Sequence, residues 1–123
     1  IQKKFRMAGK TGTSQVFTIT EAERQRGITP NKDRQWHKRD HALFVCYAPV
    51  DNPKVAVSVV VEHGGGGSKV AAPIARDIVL QTLYGTDPPH EAYPVKDREE
   101  IKLRQKELQK LRPNLHNIRQ SRA

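Results

Sequence analysis

Apolar positions along the chain gather in three places, and polar ones fill most of the rest. The first, HALFVCYA at residues 41–48, is a short aromatic-rich run that Pro49 ends, and DNP then supplies turn residues. The second, VAVSVVVE, sets Val55, Val57, Val59 and Val61 on one face of a strand and Ala56, Ser58, Val60 and Glu62 on the other. Both faces are largely apolar, so the pattern predicts a strand covered on both sides and paired antiparallel with the run before it. In the third, the period lengthens to that of a helix. Ala71, Ile74, Ala75, Ile78, Val79 and Leu83 share one side, while Arg76, Asp77 and Gln81 face away. Leu80 interrupts the polar side and marks contact with another element. Ser68 is a candidate N-cap, Pro73 is expected to bend or shorten the first turn, and Tyr84 and Gly85 close the helix.

Elsewhere the pattern is weaker. A basic start leads into Thr11, Gly12, Thr13, Ser14, Gln15, Val16, Phe17, Thr18 and Ile19, whose β-branched residues predict a strand reaching about Ile19. Residues 20–39 are polar and broken at Gly27 and Pro30, so they read as an exposed connection with one helical turn after Thr20. Gly64 to Gly67 suit a tight passage between strand and helix as well as they suit a flexible linker. Beyond Gly85 come the irregular TDPPHEAYP and a highly charged remainder. There Ile101, Leu108 and Leu111 form a thin apolar stripe, too sparse to hold a free-standing helix. The division expected is a partial domain over residues 1–85 and a basic, mobile or weakly docked extension over residues 86–123.

Composition narrows the possibilities without choosing a function. A chain of 123 residues holds one small domain, and with 36% hydrophobic and 28% charged residues parts of it lack a core of their own. The net charge of +9 favours anionic surroundings, whether nucleic acid, acidic lipid, an acidic polymer or an acidic partner domain. Neither paired zinc ligands nor an aromatic stacking pattern supports a nucleic-acid module, so no nucleic-acid partner is expected. Cys46 is the single cysteine, excludes a disulfide within the chain and reads as a small buried side chain. No run of 18 apolar residues is present, and IQKKFR reads like the middle of something longer, which points to processing or truncation.

The stretch MAGKTGTSQV raises the question of chemistry. A phosphate loop ending in GKT needs a glycine five positions before Gly9, where the chain has Lys4, and a helix after it, where the chain has a strand-like run. His37, His41, Cys46 and His63 match no compact zinc spacing, so neither metal nor cofactor is expected. His63 is placed to hydrogen-bond around the glycine passage, Asp40 to bind neighbouring backbone, and Trp36 to pack against the domain rim or a partner.

KTGTSQV, HALFVCYAP and VAVSVVVEHGGGGSKVAAPIARDIV, taken together, resemble the C-terminal end of the transpeptidase domain of class B penicillin-binding proteins, and most of all the elongation and cell-shape branch, penicillin-binding protein 2. The resemblance covers roughly residues 5–85. It implies an α+β fold of the penicillin-binding and serine β-lactamase-like kind, with an antiparallel sheet packed by a helix from about Ser68 to Tyr84 and KTGT on the edge bordering the active site. It assigns Lys10, Thr11, Gly12 and Thr13 to that site. Lys10 supplies positive potential near the substrate carboxylate, Thr13 a hydroxyl and a backbone N–H donor, and Gly12 room for close approach. A serine β-lactamase shares KTG, but the two later runs favour the biosynthetic class.

Such transpeptidases also need an SxxK nucleophile with its base and an SxN motif. Ser14, Ser58, Ser68 and Ser121 begin neither, so the chain alone is expected to be inactive. The partners implied are the missing portion carrying SxxK and SxN, peptidoglycan stem peptides, β-lactams and cell-elongation proteins. The parent is expected at the bacterial inner membrane, with its catalytic domain in the periplasm. On its own the chain is expected to aggregate or associate through exposed strands.

Overall fold

The computed structural model describes residues 2–85 and 87–120, with side chains described as far as Arg112. Three strands, β1 (Ala8–Ser14), β2 (His41–Ala48) and β3 (Val55–Val61), form one antiparallel sheet in chain order. β2 lies in the centre, and its register pairs Lys10 with Val45, Thr11 with Phe44 and Gly12 with Leu43. On its other side Phe44 faces Val59 and Cys46 faces Val57. The two strands that the HALFVCYA and VAVSVVV patterns predict are thus present and paired as expected.

β1 is shorter than the β-branched run suggests. Its last pair is Ser14 with His41, the first residue of β2, so no partner remains for residues 15–19. Strand propensity without a ladder to join leaves the backbone irregular. The chain then enters α1 (Glu21–Arg26), the single turn expected after Thr20, whose N-terminus is fixed by a capping box. Thr20 Oγ1 accepts the Glu23 N–H at 3.3 Å, and Glu23 Oε2 accepts the Thr20 N–H at 2.8 Å.

α2 (Ala72–Tyr84) packs on one face of the sheet, where Ala71, Ala75 and Val79 meet Phe44, Cys46, Ala48 and Val59. The small residues let helix and sheet approach closely. Ser68 does not cap this helix. A π-turn over Gly67–Ala71 precedes it, and the Ala72 N–H bonds Gly67 O five residues back. Pro73 then sits in the first turn, where its missing N–H costs nothing.

The opposite face corrects the expectation of a strand covered on both sides. Val59 is buried towards α2, but Val60 is 59% exposed and Val45 and Tyr47 are also open, so no described element covers that face. Alternation along β3 encodes two apolar faces, and the described residues cover only one of them.

A second, smaller cluster joins Leu80 of α2 to Ala92, Tyr93 and Ile101, with Phe5 packed against it. Ile101 lies on α3 (Arg98–Gln120), so the charged segment that lacks the apolar residues for an isolated helix docks by one end. Leu80, the residue out of phase with the polar side of α2, provides the contact.

Candidate active-site edge

Lys10, Thr11, Gly12 and Thr13 lie together on β1, which among the described residues pairs only with β2 and leaves its other edge open. Alternation divides them. Thr11 and Thr13 pair with Phe44 and Ala42 and share the face towards α2, whereas Lys10 and Gly12 pair with Val45 and Leu43 on the open face. The four therefore converge at the strand edge rather than on one face. Lys10, Thr11 and Thr13 are exposed, Gly12 is half-buried, and the Lys10 ammonium donates to the Thr11 carbonyl at 3.0 Å.

The glycines here answer to different demands. A Cβ at Gly9 would meet the Phe44 ring at 2.5 Å and the Val45 carbonyl at 2.7 Å, so the core requires Gly9. At Gly12 an added Cβ would meet only Leu43 Cβ, at the ordinary contact distance of 3.4 Å. Packing among the described residues does not explain the glycine at position 12. Its bare backbone leaves room for a molecule approaching the edge from outside.

A loop and the glycine passage buttress one end of this strand pair. Asp40 is buried. Its carboxylate accepts from Asn31 Nδ2 at 2.9 Å and Arg34 Nη1 at 3.1 Å, while Asn31 Oδ1 accepts the Asp40 N–H at 3.0 Å. The Arg34 guanidinium also lies 5.0 Å from the Phe17 ring centroid. The His63 backbone N–H donates to His41 Nδ1 at 2.9 Å, and because a carbonyl only accepts, His63 Nδ1 carries the proton given to Arg39 O at 3.0 Å. Trp36 packs on the His63 ring at 4.4 Å. Among the described residues, no three His, Cys, Asp or Glu side chains gather to hold a metal. Cys46 is buried, and loss of solvation raises its thiol pKa above the ordinary 9.0, with a backbone hydrogen bond at Val57 opposing.

Asn31, Arg34 and Gly67 had no roles in the sequence reading. The first two are ordinary loop residues until the fold brings them to Asp40, and the only local signal for Gly67 was its place in a run of four glycines. A cleft of about 640 Å3 between the amino-terminal segment and α2 includes Phe5, Met7, Arg76 and Leu80 in its lining, but none of residues 10–13. The open face carries a shallower depression of about 400 Å3 beside Lys10, Val45 and Tyr47.

Beside this antiparallel sheet packed by a helix, the sequence profile described as "Penicillin binding protein transpeptidase domain" matches residues 2–80. The chain belongs to that family. It is 42% identical over 99 residues to the peptidoglycan D,D-transpeptidase MrdA of Haemophilus influenzae, a match covering 79% of this chain and 15% of that protein. It is 36% identical over 95 residues to the MrdA of Escherichia coli K12, covering 71% of this chain and 13% of the relative. A solved complex between penicillin-binding protein (PBP2) and MreC from Helicobacter pylori aligns with 63% of this chain and 12% of its own, at 33% identity and a TM-score of 0.45. The chain thus spans about 15% of the length of the first of these relatives.

Proposed function

We propose that this chain is the KTG-bearing part of a peptidoglycan D,D-transpeptidase whose nucleophilic serine lies outside residues 1–123. The observation that carries the reading is the open β1 edge, with Lys10 and two threonines around a glycine that internal packing does not demand. In the reaction, a serine Oγ attacks the carbonyl between the two terminal D-alanines of a stem peptide, forms an ester and releases D-alanine. The amine of a second stem peptide then attacks the ester, forms the cross-link and returns the serine. β-Lactams enter the same first step and remain attached.

Within that scheme Lys10 offers positive charge to the substrate carboxylate and the catalytic hydroxyls. Thr13 offers a hydroxyl to the carboxylate and a backbone N–H to the developing oxyanion. Thr11 shares its strand face, and Gly12 leaves the approach clear. Residues 86–123 form a basic extension to the partial domain over residues 1–85; the family profile ends at residue 80, while the Haemophilus influenzae match covers 79% of the chain and so runs past residue 85. The whole enzyme is placed at the bacterial inner membrane, with its catalytic domain in the periplasm and cell-elongation proteins as partners. No helix of the described residues is long and apolar enough to cross a membrane.

Fluorescent penicillin labelling of undenatured material, followed by denaturing electrophoresis and peptide mapping, tests the reading. Label is expected on a serine-bearing polypeptide that accompanies this chain. Label on a serine of this chain, or none when the complementary portion is present, would overturn it.

A further inference from the structure

We infer that Gly67 is a positioning residue for the β1 edge: having no side chain, it lets the glycine passage bear directly on the Gly12–Leu43 rung and holds that rung in place. The inference rests on the assignment of residues 10–13 to the active site. A Cβ built on Gly67 would lie 2.5 Å from the Leu43 carbonyl oxygen, 3.1 Å from the Gly12 carbonyl oxygen and 3.1 Å from Thr11 Cβ. Leu43 is the register partner of Gly12, so all three neighbours belong to one small area of the proposed site strand and its support.

The passage is held at both ends, which makes the contact a brace. Upstream, the Gly65 N–H donates to the Asp40 carbonyl at 2.9 Å, and Gly65 adopts φ +81, a conformation that glycine tolerates. Downstream, the Ala72 N–H bonds Gly67 O, and Ala71 and Ala75 are fully buried between α2 and the sheet. The π-turn gives the chain the extra width it needs to lie flat on the rung before α2 begins. Gly66, the next residue upstream, has φ −100 and nothing within 4 Å of its built Cβ. The requirement for a bare backbone at 67 is therefore imposed by β1 and β2, not by the turn.

A methyl group at position 67 would sit roughly 1 Å inside contact distance of a backbone oxygen. The Leu43 carbonyl belongs to the backbone of the central strand and has no rotamer to escape into, so the rung itself must shift. Thr11, Gly12 and the oxyanion donor at Thr13 move with it.

The test is made on the transpeptidase domain assembled with its serine-bearing part, by stopped-flow labelling with fluorescent penicillin. Gly67→Ala is expected to slow acylation at saturating penicillin by about 10- to 100-fold in the enzyme that does label, the scale of a misplaced reacting group. Gly66→Ala is expected to label at the parental rate. A purely structural role for Gly67 would lower the fraction labelled while leaving the rate constant unchanged, and that result would overturn the inference. Should Gly67→Ala fail to fold, one glycine inserted between Gly66 and Gly67 removes the brace without adding bulk, and parental acylation there would overturn the inference equally. Lys10→Ala separates the two levels. Parental labelling in that variant removes the site assignment itself, whereas its loss beside a normal Gly67→Ala removes only the positioning role.

Discussion

The backbone carbonyl of Asp40 accepts the N–H of Gly65 at 2.9 Å, while the carboxylate of the same residue pairs with Arg34 at 3.1 Å. One residue thus fastens the β1–β2 connection to the glycine passage. Both side chains of the ion pair are about nine-tenths buried, and removing one partner strands the other charge in poorly solvated surroundings. Asp40→Ala is expected to destabilise the assembled domain by about 3–5 kcal/mol in denaturant unfolding. A loss below about 1 kcal/mol would show that water reaches Arg34 freely.

Cys46 pairs with Gly9 and Val57 in the centre of the sheet, under α2. Burial raises its thiol pKa, so little thiolate is available near neutral pH. Maleimide or disulfide reagents at pH 7.5 are expected to modify it at least about 100-fold more slowly in the folded domain than in denaturant, through reduced access and thiolate content together. Equal rates would place the thiol outside the core.

The capping box of α1 gives a pH dependence with a definite sign. Backbone and side-chain hydrogen bonds from Thr20 hold the Glu23 carboxyl below its ordinary pKa of 4.5, with Arg26 and Lys38 adding to the effect. A depressed carboxylate pKa contributes stability above the unfolded value and loses it as pH falls through the folded value. Fraying of α1 is therefore expected only below about pH 4.5, and Thr20→Ala should return the Glu23 titration towards 4.5. Carbon-detected NMR of the Glu23 carboxyl reads this directly, and a midpoint above 4.5 in the parent would contradict the capping geometry.

Much of this was legible from the chain. HALFVCYA and VAVSVVV expressed their strand pattern almost residue for residue, because alternation and β-branching are local properties. The end of β1 was not legible, since residues 15–19 have strand-like composition and lack only a partner, which the starting point of β2 decides. Nor was the open face of β3, because Val60 looks like a core residue whichever part of an enzyme covers it. KTG marked the candidate site by resemblance. The Gly67 contact depended on the approach of Leu43 and Gly12, distant from it in the chain, which no local pattern encodes.

Thr13 stands exposed on β1, and among the described residues no hydrogen bond occupies its hydroxyl. A hydrogen bond to a charged group is worth about 1.5–3 kcal/mol, so Thr13→Val is expected to slow penicillin acylation by about 10- to 100-fold. Thr13→Ser keeps the hydroxyl and is expected to recover most of the rate. If valine and serine behave alike, the hydroxyl is not the group that meets the substrate.

The extension tests whether a charged helix is held by a single apolar contact or by its polar links. Ile101 fills the space between Leu80, Ala92 and Tyr93. Around it, Arg76 bonds Asp77 and Asp97 at 2.9 Å each and lies 5.1 Å from the Tyr93 ring centroid, while Gln105 reaches Pro88 O at 3.3 Å. Burial of Tyr93 raises its phenol pKa, with Asp77 adding to that and Arg76 opposing, so the contact excludes water as well as pairing charges. Truncating a buried isoleucine costs about 2–4 kcal/mol, and most exposed ion pairs return less than about 1 kcal/mol. Ile101→Ala is therefore expected to accelerate amide exchange over residues 98–112 by on the order of 30-fold or more, and Lys102→Ala, which removes the exposed pair with Glu99, by about fivefold at most. Comparable acceleration in both variants would mean that the surface charges, not the Ile101 contact, hold α3 against α2.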